Sequence, residues 1–368
     1  MTAARIAPLV LLAAALACRG PHPERPPGSC THVQAARELR GTATCEDAWT
    51  CTRPPGGPFD RLGLHRLAPC AGASGPVVLY LPGMHMNGEL PIADPLHDMR
   101  VYLAAAGVPT WGLDYRTHVV PDDASPEALE PLRRWTSDLF GDDAAWAASF
   151  VRGIDPGPLY VAGFSRGAAF AYQLASRRGQ ALAGLIILDG TAGGGRAPAG
   201  GTPAIDVGGS RLPFPERERL LGAVIADPRG PSPVPGFATA GTALAELLHS
   251  APSFGGQGGL ANGRDHVSDV QLVARLLQSY DRWWPRAALD SPSPDHPERQ
   301  LPVIAFASTN MGAAWVSRVR ASAVAYGGES ATVYELPGYG HLDVLIARRA
   351  AQDVFEPVRA WLDAGPPS

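Results

Sequence analysis

Short, fully apolar runs recur along the chain, separated by longer stretches of helical spacing. The run PVVLYLPG at 76–83 is rich in β-branched residues and stops at Pro-Gly, which predicts a buried strand ending in a loop. VYLAAAGVPTWGLDY, at 101–115, predicts a helix end, a stop at Gly107 and a second buried strand. Between 126 and 152, Leu129, Leu132, Trp135, Leu139 and Phe140 fall on one side of a predicted helix. A third strand, GPLYVAGFS at 157–165, runs directly into an alanine-rich helix over 168–178 that Gly179 closes. LAGLIILDG at 182–190, LPVIAFAST at 301–309 and ATVYELPGYGH at 331–341 read as further strands, and a closing helix is predicted from about 344 to 362.

Strands alternating with helices predict an α/β fold, a mostly parallel sheet with helices on both faces. The rhythm breaks between the fourth and fifth strands. Residues 192–263 are crowded with glycine and proline, and DVQLVARLLQSYDRWWP at 269–285 then reads as one amphipathic helix ending at Pro285. The region from about 192 to 300 is read as a cap inserted into one domain that spans 76–368.

Charge narrows the function classes. The net charge is −4, all 31 basic residues are arginine, and no basic block is interleaved with aromatic residues, so nucleic acid is not an expected partner.

The first residues, MTAARIAPLVLLAAALAC, carry one early charge and then an apolar run too short to span a bilayer comfortably. Ala15-Leu16-Ala17 supplies a small-x-small cleavage pattern, so residues 1–17 read as a signal peptide for export to the periplasm or cell envelope. The stretch also resembles a bacterial lipoprotein signal, which implies a lipid on Cys18 and attachment to a membrane; Ala15 stands where that pattern usually has leucine. Residues 18–75 then form a proline-rich tether and a cysteine-containing segment. With Cys18 set aside, Cys30, Cys45, Cys51 and Cys70 are an even set in an exported chain and predict two disulfides, with three pairings open. The C-x₂-C spacing of a zinc site is absent from this set.

The candidate chemistry centres on GFSRG, residues 163–167. In so glycine-rich a chain a G-x-S-x-G match alone is weak evidence. Its setting adds weight: a predicted strand enters the motif and a predicted helix leaves it, as a nucleophile held on a strained turn requires. Ser165 would then sit at a helix N-terminus, whose N–H groups favour negative charge. A base is needed, and PGYGHLDVL places His341 just past the last predicted strand. An oxyanion would be held by the backbone N–H groups of Met84, in YLPGMHMNG, and of Arg166. His85, Asn87, His97 and His118 do not form a convincing ligand set, and no metal or organic cofactor is expected.

In this order of motifs, residues 76–362 resemble the α/β-hydrolase superfamily. The resemblance implies the α/β-hydrolase fold and a serine hydrolase acting through an acyl-enzyme on carboxylic esters or lipid-like acyl substrates. A non-catalytic envelope binding protein or a peptidase on the same fold are the alternatives. Asp114-Tyr115-Arg116 matches an Asp-x-Arg strand end of structural use in relatives. The acid departs from the pattern: Asn310 stands at the usual acid position, and no carboxylate follows until Glu329. Some members carry the acid one strand earlier, which here is Asp189; its alternative role is a cap for the following loop. Asp343, Asp265 and Asp269 are lesser candidates. Tyr280, Trp283 and Trp284 either line an apolar site or pack the cap onto the body.

Overall fold

Among the described residues, nine strands form one sheet in the order β1-β2-β3-β5-β4-β6-β7-β8-β9. In chain order they are β1 (Cys30–Glu38), β2 (Thr44–Thr52), β3 (Arg61–Pro69), β4 (Val77–Leu81), β5 (Thr110–Asp114), β6 (Leu159–Phe164), β7 (Gly184–Leu188), β8 (Val303–Ser308) and β9 (Ala331–Leu336). The computed structural model describes residues 29–39, 41–177, 181–193, 212–249, 259–289 and 300–365. The predicted signal peptide, Cys18 and the predicted tether lie outside the described residues, as do 194–211, 250–258 and 290–299 of the predicted insertion.

From β5 across to β9 every neighbouring pair is parallel, and β4 to β8 are buried at every position. Burial on both faces is what made these strands continuous apolar runs. Successive side chains feed two cores. Val77, Leu79 and Leu81 pack with α2 (Ser137–Ile154), α3 (Arg166–Ser176) and α7 (Ala313–Gly327). Val78 and Tyr80 pack on the opposite face with α1 (Met99–Ala105) and α9 (Glu356–Ala364). The described helices of the insertion, α4 (Phe214–Ala226), α5 (Ala240–His249) and α6 (Val270–Gln278), bury Leu221, Leu244 and Leu277 in that second core.

The cysteine segment does more than brace the N-terminus. It supplies β1, β2 and β3, which extend the sheet antiparallel from β5. The disulfides join Cys30 to Cys51 and Cys45 to Cys70, a pattern fitted to an oxidising, extracytoplasmic compartment. Among the described residues no helix is long and apolar enough to cross a membrane.

Three predicted helices are shorter or more broken than their spacing suggested. The stretch from 126 holds a 3₁₀ turn, Glu130–Arg134, and α2 begins only after Thr136, whose hydroxyl caps it by accepting from Leu139 N–H. The amphipathic helix before Pro285 ends at Gln278 because Ser279–Asp281 turns aside to bond residues 85 and 87. The closing helix is split into α8 (Asp343–Ile346) and α9. Ala347 is extended and pairs with Ser268 of the insertion, and a π-helical turn, Ala351–Phe355, precedes Pro357, which lacks the N–H a regular turn needs.

The Asp-x-Arg strand end is structural. Arg116, 1% exposed, donates to Asp143, Asp60 and the Pro54 carbonyl, while Asp114 accepts from His65 and from Gly88 N–H. Topology then locates the site. The chain leaves β4 for β5 on one side and returns to β6 on the other, so the loops after β4 and β6 diverge from a switch point at the carboxyl edge.

Candidate active site

Ser165 follows β6 and precedes α3 with φ 53° and ψ −115°, a left-handed conformation that a non-glycine residue adopts only under constraint. Close packing enforces it. A Cβ on Gly167 would lie 1.9 Å from the Leu81 carbonyl oxygen, and one on Gly163 would lie 2.5 Å from the Gly167 carbonyl oxygen. On the other side, a Cβ on Gly190 would meet Ala168 Cβ at 2.3 Å and the Ser165 carbonyl at 2.7 Å. The backbone N–H of Ser165 donates to the Leu188 carbonyl, fixing the turn to the end of β7.

His341 sits on the loop after β9 and is buried between the rings of Phe164 and Trp315. Its Nε2 is 2.7 Å from Ser165 Oγ, and its Nδ1 is 2.5 Å from Asp189 Oδ2. A carboxylate only accepts, so Nδ1 carries the proton toward Asp189 and Nε2 keeps its lone pair for the serine O–H. Asp189 is fully buried just past β7, and its Oδ1 accepts from Ser308 N–H at 2.7 Å and Trp315 Nε1 at 2.8 Å. These donors offset the desolvation of a buried carboxylate.

The other acid candidates lie elsewhere. Asn310 donates its backbone N–H to the Tyr339 carbonyl, and its buried Nδ2 finds no hydrogen-bond acceptor among the described residues. Asp343 accepts from Gly340 N–H (2.6 Å), Asn262 N–H (2.8 Å) and Ser268 Oγ (2.5 Å), so it anchors the loop that carries His341. Burial pushes its carboxyl above the ordinary value despite these donors. Asp265 pairs with Asn262, and Asp269 caps α6.

Gly83 and Met84 follow β4, and a Cβ on Gly83 would meet the Phe164 ring at 2.9 Å, so this loop lies against the turn holding Ser165. Tyr115 Oη donates to the Pro82 carbonyl at 3.0 Å. Arg166 is the first residue of α3, where backbone N–H groups project from the helix end. Its guanidinium reaches the Ala288 carbonyl and lies over Phe170. The four residues doubted as metal ligands have protein partners: His97 bonds Asp94, while His85, Asn87 and His118 all bond Asp281. Burial pushes the His85 imidazole down to about 4, so it is neutral near pH 7. Trp284 is fully buried, edge-on to Tyr115, and Trp283 donates to the Pro121 carbonyl, so both pack the insertion onto the body.

Trp315 and Asp281 were not legible as site residues. Trp315 meets Asp189 across 126 positions, and Asp281 meets His85 across 196; neither lies in a local motif.

No protein-family model matches the sequence, and no curated protein matches it. Solved structures do. A candidate lipase from Sulfolobus solfataricus superposes with TM-score 0.76 at 24% identity, over 91% of this chain and 99% of that one. An α/β hydrolase fold protein from Nakamurella multipartita gives 0.51 at 15% identity, over 83% and 97%. A thermophilic esterase from Thermogutta terrifontis gives 0.50 at 17% identity, over 86% and 97%. At these identities the likeness speaks for architecture, and with the sheet order and the turn after β6 it establishes that this chain has the α/β-hydrolase fold.

Proposed function

We propose that the protein is an exported serine hydrolase that cleaves carboxylic esters or lipid-like acyl substrates of small size. The supporting observation is the continuous hydrogen-bond chain from Ser165 Oγ through His341 to the buried Asp189 carboxylate. In this reading His341 Nε2 takes the serine proton as Oγ attacks the ester carbonyl, and Asp189 stabilises the imidazolium that forms. The carbonyl oxygen becomes an oxyanion facing the N–H groups of Met84 and Arg166, where preorganised dipoles stabilise it without reorganisation. The tetrahedral species collapses, His341 passes its proton to the leaving alcohol, and the acyl group stays on Ser165. Water then repeats the sequence with His341 as base, releasing the acid and the free serine.

The solved neighbours named lipase and esterase fit an ester substrate. The two disulfides fit an export route, for which residues 1–17 would be the signal and Cys18 a site of lipidation. A fluorophosphonate probe tests the core of the reading. The wild-type protein is expected to label, and Ser165→Ala to abolish both labelling and hydrolysis of p-nitrophenyl esters. Unlabelled but folded wild-type protein would favour a binding function, and faster cleavage of aminopeptide substrates than of esters would favour a peptidase.

A further inference from the structure

The loop after β4, which carries Met84, is held at its margins by the body of the protein. Tyr115 bonds Pro82, Asp114 accepts from Gly88 N–H, and Arg100 donates to the carbonyls of Gly88 and Glu89. Its centre is held by the insertion. The backbone N–H of Asp281 donates to the His85 carbonyl at 2.7 Å, and His85 Nδ1 donates back to the Asp281 carbonyl at 2.9 Å. The Asp281 side chain, 4% exposed, accepts from Asn87 Nδ2 at 3.1 Å, His118 Nδ1 at 2.9 Å and Thr117 Oγ1 at 2.9 Å. Asn87 Nδ2 also donates to the Ser279 carbonyl.

This clamp sits where the loop needs one. His85, next to Met84, has φ 64°, a left-handed conformation that costs energy in a residue with a Cβ and persists where its surroundings over-determine it. Bonds to the His85 carbonyl and ring come from the Asp281 backbone N–H and carbonyl, and the Asp281 carboxylate fixes Asn87 two residues on. The oxyanion loop therefore has its central shape set by a residue that follows α6, nearly two hundred positions later in the chain.

We propose that Asp281 is a positioning residue for the oxyanion side of the reaction: its backbone groups hold His85 and its carboxylate ties Asn87 to His118 and Thr117, which keeps the 84–87 segment in the shape that aims the Met84 N–H at the developing charge. The inference rests on Ser165 being the nucleophile. It assigns the end of the insertion a part in assembling the catalytic centre, in addition to covering the sheet. Misplacing one donor by about an ångström slows chemistry far more than it weakens substrate binding.

The test compares wild-type protein with Asp281→Ala, Asp281→Asn and Asn87→Ala on p-nitrophenyl acetate, with active sites titrated by a fluorophosphonate. The expected result is a kcat per titrated site roughly 10- to 100-fold lower in Asp281→Ala, with KM within about threefold. Asn87→Ala should move the same way by a smaller factor, and Asp281→Asn, which keeps an acceptor for His118 and Asn87, should recover most of the loss. The inhibition constant of phenylboronic acid, which forms a tetrahedral adduct on the serine, should rise with the fall in kcat. If Asp281→Ala is too poorly folded to titrate, Asn87→Ala decides the matter alone, since it leaves no buried charge unpaired. Unchanged kcat per titrated site in the folded variants, or a rise in KM alone, overturns the proposal. Wild-type protein that neither labels nor turns over would instead remove the nucleophile reading on which it rests.

Discussion

His341 Nδ1 lies 2.5 Å from Asp189 Oδ2, joining the loop after β9 to the end of β7 across 152 positions of sequence. The geometry carries a direct prediction about the tautomer. Asp189→Asn can present an amide N–H to Nδ1, which would drive the ring proton to Nε2 and leave no lone pair for the serine. The expected loss in kcat is on the order of 10⁴-fold with the fold intact. Asn310→Ala, by contrast, should leave ester hydrolysis within about twofold of wild type, since the Asn310 side chain is bonded to neither His341 nor Ser165. A large loss in Asn310→Ala, with Asp189→Asn near wild type, would reverse the two assignments.

The turn carrying Ser165 has no room for a side chain at its second glycine. In Gly167→Ala the new methyl must displace the Leu81 carbonyl, now 1.9 Å from its place, and with it the start of the loop that bears Met84. Overpacking of this kind typically costs about 1–3 kcal/mol. The variant should therefore melt earlier and also react more slowly with a fluorophosphonate than its folded fraction explains. Circular dichroism melts and labelling kinetics on the same sample separate the two effects.

The disulfide between Cys30 and Cys51 fastens β1, whose face is largely exposed, to β2 by directly paired residues. Closing a loop of 21 residues is worth about 3 kcal/mol in the chain-entropy view. The double change Cys30→Ser, Cys51→Ser should let β1 fray while the sheet from β4 to β9 stays intact. Hydrogen exchange should quicken over 30–38 and remain slow at Ile186 and Ile304. Global loss of protection would show that the edge strands support the whole sheet.

Strands β4, β6, β7 and β8 were legible because burial on both faces leaves few polar positions to interrupt the run, as in GLIIL and VIAFAS. Strands β1 and β2 were not: β1 has no buried position, and in β2 Glu46 is buried against His65 and Arg37, so hydrophobic alternation fails there. Helix α7 escaped notice for a related reason. Trp315, Val319 and Ala323 form its buried stripe at four-residue spacing, but arginines, small residues and serines on the remaining faces blur the period. The strain at Ser165 could be inferred from the flanking glycines, whereas the acid could not be settled from spacing. Asp189 and Asn310 both follow parallel strands, and only the placement of β7 beside β6 brings the first of these loops against the histidine.

Stability should depend on pH through the buried charges that seat β2 and β3. Burial alone would depress the His65 imidazolium, but Asp114, 2.9 Å away, and Glu46, at 3.4 Å, outweigh it and raise His65 to about 9. Its unfolded value is near 6.5. The folded state thus holds this proton more tightly than the unfolded chain, so the stabilisation is complete below about 6.5 and is lost as pH rises through about 9. Glu46 works in the opposite sense. Its bond to His65, reinforced by Arg37 and Gln34, lowers it to about 2, so its contribution is present above about 4.5 and lost as pH falls through about 2. The pair supports the fold most fully between these limits, near pH 4.5–6.5. Each contribution is on the order of 3 kcal/mol, and the two are not summed, because the His65–Glu46 contact enters both. His65→Gln removes the titrating partner, so the drop in melting temperature between pH 6 and pH 9 should shrink relative to wild type. Parallel pH profiles for the two proteins would mean that His65 carries no linked proton in this range.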